Sequence, residues 1–283
     1  MTGLGSDLMA VIAALISYPI KGCAGVHLER ATVEPTGLPQ DRAFMVVDDR
    51  GVARTQRRDP RLATLRPAVS ADGRGLVVGA PGAAEVQVEV DLDSARRDVE
   101  MFGVPHPGID QGDEVAAWLS EVLDAPSRLV RVPPERRRVA DGWVSGLSHY
   151  ADSSAVHLLS QASLDELNAR LAGRGEPPAP MERFRPNVVV AGWPEPHLED
   201  RIRWMTADRA TLAYAKLAIR CAVPMVDQRT GAKDGPEPLR TLATYRRAAR
   251  GGLALGIKLS VVEPGELAVG DEVRVDSWGD SEL

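Results

Sequence analysis

What most narrows the fold is how short the ordered runs are in the first half of the chain. Val11–Lys21, Val26–Glu34, Ala43–Asp48, Val52–Gln56, Leu76–Gly79, Glu85–Val90 and Val99–Phe102 are apolar or alternating, and Gly, Pro or Asp punctuates the spaces between them. Runs of this kind with turn residues between them read as strands rather than helices. Asp48-Asp49-Arg50-Gly51 is a hairpin-type turn, so Val52–Gln56 is expected to pair back on Ala43–Asp48. Several short strands in succession predict a small antiparallel barrel or sandwich. The first helix is predicted at Asp113–Leu123, where Val115, Trp118, Leu119 and Val122 fall at helical spacing and Asp113 serves as the cap. The residues before the first run, 1–7, read as a loose end.

The second half mixes strands with a few helices. Strands are expected at Leu129–Val132, Val156–Leu159, Asn187–Val190, Arg203–Met205, Arg209–Lys216, Lys258–Val262 and Glu272–Val275. Ser163 and Glu166 have the spacing of a capping box ahead of a helix over Leu164–Leu171, and Gly173 is its stop. Leu239–Arg250 is predicted to be a further helix, starting near a Thr241 cap. Arg136–Arg138 reads as a solvated loop. The fold class is therefore mixed α/β and β-rich, with an N-terminal barrel-like domain over residues 8–125 and a second domain over 126–278.

Composition excludes several functions. The net charge of −6 and an aromatic content of 4% argue against a nucleic-acid surface or an anionic membrane as partner. Leu8–Ile16 is apolar, but no Lys or Arg precedes it and Asp7 flanks it, so it reads as a buried first strand rather than a signal segment or an inserted helix. Two cysteines rule out a disulfide framework and a four-cysteine metal site, and they fit a reducing compartment, here expected to be the cytoplasm. The five histidines lack metal-ligand spacing, and no phosphate-binding loop, dinucleotide fingerprint or nucleophile elbow is present.

What remains is a set of cations and one thiol. Lys21 follows a strong apolar strand, Arg42 opens another, Arg183 and Arg185 precede Asn187–Val190, and Arg220 adjoins Cys221. Loops at strand ends commonly carry function, and converging Arg and Lys suit a phosphate-bearing ligand. Asp152-Ser153-Ser154 supplies short hydrogen-bonding side chains and free backbone N–H groups just before a strand. Buried cysteines are commonly inert, so the residues alone leave Cys221 open between metal ligand, nucleophile and core filler.

Taken in order, several stretches resemble a known family. YPIKGC, PTGLPQDRAFMVVDDRG and TQRRDPRL look like the N-terminal β-barrel domain that precedes MOSC domains (molybdenum cofactor sulfurase C-terminal domains). SQASLDELNARL, RFRPNVVV, IRCAVPMVDQRTG, EPLRTLATYR and LAVGDEVRV follow in the order of the MOSC domain itself, which is also a β-barrel with peripheral helices. The resemblance runs from about Ser17 to Val275. It resembles in particular the amidoxime-reducing components, which hold a pterin-based molybdenum cofactor and reduce N-hydroxylated compounds. It implies an oxidoreductase in which Cys221 ligates molybdenum and Arg220 neutralises charge beside it. Lys21, Gly22, Arg42, Asp152, Ser153, Ser154, Arg183, Arg185, Asn187 and Ile219 would contact the cofactor. Electrons would come from a separate ferredoxin- or flavoprotein-type partner, and the substrate would be a small amidoxime, hydroxylamine or N-oxide. The alternative is a carrier of the cofactor or of sulfur, with Cys221 as persulfide acceptor. The chain departs from the family pattern at Gly22 and Ile219, where serines are usual, and at Pro224 and Met225, where threonines are common.

Overall fold

A computed structural model describes residues 9–233 and 235–283; the loose end expected over 1–7 lies outside the described residues. In chain order the N-terminal half contains β1 (Val11–Ser17), β2 (Val26–Leu28), β3 (Arg30–Val33), β4 (Phe44–Val47), β5 (Arg66–Val69), β6 (Gly75–Ala80), β7 (Ala83–Glu89), β8 (Arg96–Met101), β9 (Val104–Asp110), helix α1 (Asp113–Leu123) and β10 (Arg128–Arg131). The rest contains β11 (Val139–Ala140), β12 (Gly146–Leu147), β13 (Val156–Ser160), α2 (Gln161–Ala172), β14 (Val188–Ala191), β15 (Ile202–Ala207), β16 (Ala210–Arg220), α3 (Leu239–Leu242), β17 (Leu253–Glu263), β18 (Gly265–Ala268) and β19 (Val273–Trp278). The molecule is β-rich with few helices, as its short punctuated runs require. Among the described residues no helix is long and apolar enough to cross a membrane.

The largest sheet has eight strands in the order β19-β15-β16-β17-β13-β14-β1-β2. It curls on itself: Val11 bridges Glu272 just before β19, and the Ile12 N–H donates to the Asp271 carbonyl at 2.9 Å. Its interior is filled by Ile12, Leu15, Leu158, Val188, Val190, Leu212, Tyr214, Ile257 and Leu259, all essentially buried. A second core forms where β4-β10-β9-β8 and β5-β6-β7 meet α1, around Phe44, Met45, Val46, Val78, Leu119 and Leu129. Sheet membership does not follow the chain at residue 125, because β1 and β2 belong to the eight-stranded sheet.

Several local expectations are corrected. Val26–Glu34 is split into β2, which pairs with β1, and β3, which pairs with β18. Val52–Gln56 forms no strand; Ala53 bridges Val47 and Val52 bridges Glu100, after which the chain leaves the sheet. The cap of α1 is Gly112 at φ 100°, and Asp113 is the first helical residue. The cap of α2 is Ser160, whose Oγ accepts from the Ser163 N–H at 3.1 Å, while Glu166 pairs with Arg170 one turn on instead of closing a box. The helix expected over Leu239–Arg250 ends at Leu242, because Arg246 turns inward to the buried Asp200 carboxylate at 2.7 Å. Arg136–Arg138 is not simply solvated: the Arg136 and Arg138 guanidiniums both donate to the His149 carbonyl, at 3.4 and 3.1 Å, bracing the segment that leads to Asp152.

Candidate functional site

A cavity of about 300 Å³ opens where the N-terminal segment meets β13, β16 and β17. Its lining includes Lys21, Gly22, Arg42, Asp152, Ser153, Ser154, Arg185, Ile219, Arg220 and Cys221. Of the residues singled out in the sequence, Arg183, Asn187, Pro224 and Met225 do not line it. Arg183 instead lies 3.9 Å from the Asp227 carboxylate.

Asn187 stands behind the wall and orders it. Its Oδ1 accepts from Arg42 at 3.0 Å and from the His157 N–H at 3.1 Å, while its Nδ2 donates to Asp41 Oδ1 at 2.8 Å and to the Ile16 carbonyl at 3.0 Å. Such a fully engaged amide fixes its neighbours. Arg42 is held further by the Asp41 carboxylate at 2.6 Å, and it stacks on one side of Tyr18. The Tyr18 ring also receives Arg185, at 4.2 Å from the centroid. Arg42 and Arg185 both adopt positive φ, 49° and 56°, so the backbone is held in a sparsely populated region at two cations of one wall.

Lys21 lies just past β1, its N–H bonded to the Phe44 carbonyl at 2.8 Å. Its ammonium donates to the Tyr150 carbonyl at 2.9 Å and pairs with Asp152. Burial lowers the Lys21 ammonium from its usual range, with Asp152 opposing that shift. Gly22 at φ 84° turns the chain so that its carbonyl accepts from Gln56 Nε2 at 2.6 Å. That contact explains where the chain goes after Ala53: Gln56 is drawn into the cavity wall and joined to Gln228.

On the opposite side, β16 ends at Arg220, so Cys221 stands at the rim of the eight-stranded sheet. Arg220 donates to the Phe184 carbonyl at 2.8 Å and reaches His157 Nε2 at 3.3 Å. Burial draws Arg220 down to about 10. His157 is buried, and burial with Lys258 and Arg220 beside it pushes its imidazole well below the usual range, so it is neutral. Room for its ring comes from Gly256, at φ 75°, where any Cβ would fall 2.5 Å from the Leu158 carbonyl oxygen and 2.8 Å from His157 Nε2.

Sequence reading passed over His157, Gln56, Phe102, Arg57, Lys216 and Lys258, all in the lining. The two lysines did leave a signal, each being a lone charge inside an apolar strand, in LAYAKLAIR and LALGIKLSVV. With them the cavity presents seven cations, Lys21, Arg42, Arg57, Arg185, Lys216, Arg220 and Lys258, against one carboxylate, Asp152. An excess of that kind in a chain of net charge −6 suits an anionic ligand, even with Arg42 paired to Asp41 behind the wall. Polar atoms are also left over: Ser154 Oγ, an Arg185 terminal nitrogen and Arg220 Nε are buried without hydrogen-bond partners. Among the described residues no group of three or more His, Cys, Asp or Glu side chains could hold a metal ion alone. A metal bound here would have to bring most of its ligands, with the Cys221 thiolate as the soft donor from the protein.

Comparison with known proteins meets this geometry. The family model for the MOSC N-terminal beta barrel domain matches residues 9–126, and that for the MOSC domain matches 146–274. The mitochondrial amidoxime reducing component 2 of Rattus norvegicus is 33% identical over 278 residues, covering 90% of this chain and 80% of its own. This chain belongs to the MOSC-domain family. Among other MOSC relatives, mitochondrial amidoxime-reducing component 1 of Homo sapiens is 30% identical, with 94% of this chain and 82% of that protein covered. The molybdenum cofactor sulfurase of Danio rerio is 29% identical over 87% of this chain but only 31% of its own length. In MOSC terms the cavity is shared: the N-terminal match supplies Lys21, Gly22, Arg42, Thr55, Gln56, Arg57 and Phe102, and the MOSC match supplies the rest.

Proposed function

We propose that this protein is a molybdenum-cofactor-dependent oxidoreductase that reduces N-hydroxylated compounds such as amidoximes, hydroxylamines and N-oxides. The observation that carries the reading is seven cations and a single thiol around one cavity with one carboxylate. Relatives named as amidoxime-reducing components, at 33% and 30% identity over at least four-fifths of their own lengths, support it.

The residues present fit a phosphate-bearing pterin with a bound metal. Lys21, Arg42 and Arg185 would bind its phosphate, two of them pre-set by Asp152 and by Asp41 with Asn187. Pre-set cations bind without an ordering cost at the moment of contact. Ser153 and the unpartnered Ser154 hydroxyl would hydrogen-bond the pterin edge. Cys221 would supply the thiolate ligand, and Arg220 would offset the charge gathered there. When bound, the cofactor supplies the electron pair that breaks the N–O bond. Cys23 is fully buried, so the chain has no second accessible thiol for a redox centre of its own. Electrons would come from a separate protein of ferredoxin or flavoprotein type, in a reducing compartment such as the cytoplasm.

The test is expression in a molybdate-fed host, metal analysis, and turnover of benzamidoxime with a chemically reduced viologen dye as donor. Stoichiometric molybdenum and benzamidine production, both lost in Cys221→Ala, are expected. Metal-free protein carrying a persulfide on Cys221 would instead identify a sulfur carrier.

A further inference from the structure

Lys216 and Lys258 are register partners on β16 and β17, directly opposite one another. Like charges in that position repel and weaken a sheet, and a lysine loses stability by sitting in an apolar strand unless something rewards it. The backbone nevertheless aims both at the cavity. Along β16 the core-facing residues are Ala210, Leu212, Tyr214 and then Leu217, so the phase flips once, at the register shift between Tyr214 and Lys216. That shift takes Lys216 off the core face. Along β17, Ile257 and Leu259 face the core, and Lys258 between them faces the other way. Both ammonium groups line the cavity.

The other cations of the wall differ from this pair. Lys21 and Arg42 have carboxylate partners, Arg220 donates to a backbone carbonyl, and Arg185 and Arg57 lie over aromatic rings. Among the described residues neither the Lys216 nor the Lys258 ammonium has a hydrogen bond or an ion pair. Burial, with Arg42 and Arg220 nearby, draws the Lys258 ammonium down to about 7. Asp152 opposes that shift only in part, and an anion beside Lys258 would oppose it further. Lys216 sits on β16, the strand that runs into Cys221, at most about 13 Å before Arg220 at the usual rise per residue, and Lys258 stands beside it on β17.

We propose that Lys216 and Lys258 form an anion subsite that selects N-hydroxylated substrates bearing a carboxylate or phosphate group at the end remote from the N–O bond. The subsite rests on the reductase reading above for its chemistry, but its anion binding is testable without it. Two lysines reaching a group from opposite strands clamp a flat carboxylate or a phosphate equally well.

The experiment compares benzamidoxime with para-carboxybenzamidoxime, which differ only in the remote carboxylate. With molybdenum-loaded protein, kcat/KM is expected to favour the carboxylated compound by roughly tenfold or more. That ratio should fall to about one in Lys258→Met and in Lys216→Met, and persist in Lys258→Arg, which also shows that position 258 tolerates replacement. Calorimetry on cofactor-free protein should show para-carboxybenzamidoxime binding more tightly than benzamidoxime, with the difference lost in the methionine variants. A ratio near one in the wild type, or a preference that survives both methionine changes, overturns the subsite. Loss of molybdenum from Lys258→Met also overturns it, because the pair then holds the cofactor. If neither compound is turned over, the reductase reading fails, while the calorimetry still decides the subsite.

Discussion

Two clusters of buried charge lie in this molecule, and they are built on opposite plans. Behind the eight-stranded sheet, Arg246, Asp200 and Glu199 are almost wholly excluded from solvent. Arg246 donates to Asp200 Oδ2 at 2.7 Å and to the Ala254 carbonyl at 3.0 Å. Glu199 accepts from the Ser160 N–H at 3.2 Å and from its hydroxyl at 2.9 Å. In the cavity, by contrast, cations outnumber carboxylates seven to one, and buried donors on Arg185 and Arg220 have no acceptor. The first arrangement matches its cation to one carboxylate and its second carboxylate to Ser160, leaving only Asp200 Oδ1 without a partner, and serves the fold. The second is incomplete, and what completes it has to come from outside.

The contrast is sharpest in what removal should do. Arg246→Met strands the buried Asp200 carboxylate and should cost about 3–5 kcal/mol in urea unfolding; a loss below about 1 kcal/mol would erase the distinction. Lys258→Met should act the other way on cofactor-free protein. It removes a half-buried, repelled charge, and a gain of about 1 kcal/mol is expected from the same measurement. The last effect vanishes at neutral pH and appears only in acid. His157 is held neutral in the fold by burial beside Lys258 and Arg220, whereas its unfolded imidazole takes a proton near its ordinary 6.5. Stability should therefore fall as pH drops below about 6.5, since the unfolded state then binds the extra proton. In His157→Gln the slope should be shallower by up to one proton, about 1.4 kcal/mol per pH unit.

The Arg246–Asp200 cluster also shows why part of the fold was hidden from sequence reading. Leu239–Arg250 has helical composition, yet Arg246 must reach Asp200, forty-six positions earlier in the chain, and the helix gives way after Leu242. Strand locations were legible because apolar period and turn residues are local. Partners were not, and so β1 read as the first strand of an N-terminal barrel although it pairs with β14. The candidate site divides along the same line. Lys21, Arg42, Arg185 and Cys221 stand beside recognisable motifs and all reach the cavity. Arg183 and Asn187 share such a motif with Arg185 but do not line the cavity: Arg183 ends the 3-10 turn Met181–Arg183, and the positive φ of Arg185, 56°, breaks any regular alternation between them. Lys216 and Lys258 could be valued only after their strands were paired across forty-two residues.

The pairing of β1 has one more consequence, in time rather than space. Val11 meets Ala191, so strand partners are separated by 180 residues of synthesis. At ordinary elongation rates β1 waits roughly 10–35 s on the ribosome for β14 to be made. Through that interval an apolar segment, Val11–Ser17, has only β2 beside it and lacks its other sheet neighbour, β14. The second core, around Phe44 and Leu129, needs nothing beyond Tyr150 and is free to form first. Cells making this protein quickly would therefore hold many chains with one finished core and one exposed strand, and yield should track the supply of chaperones that bind extended apolar segments.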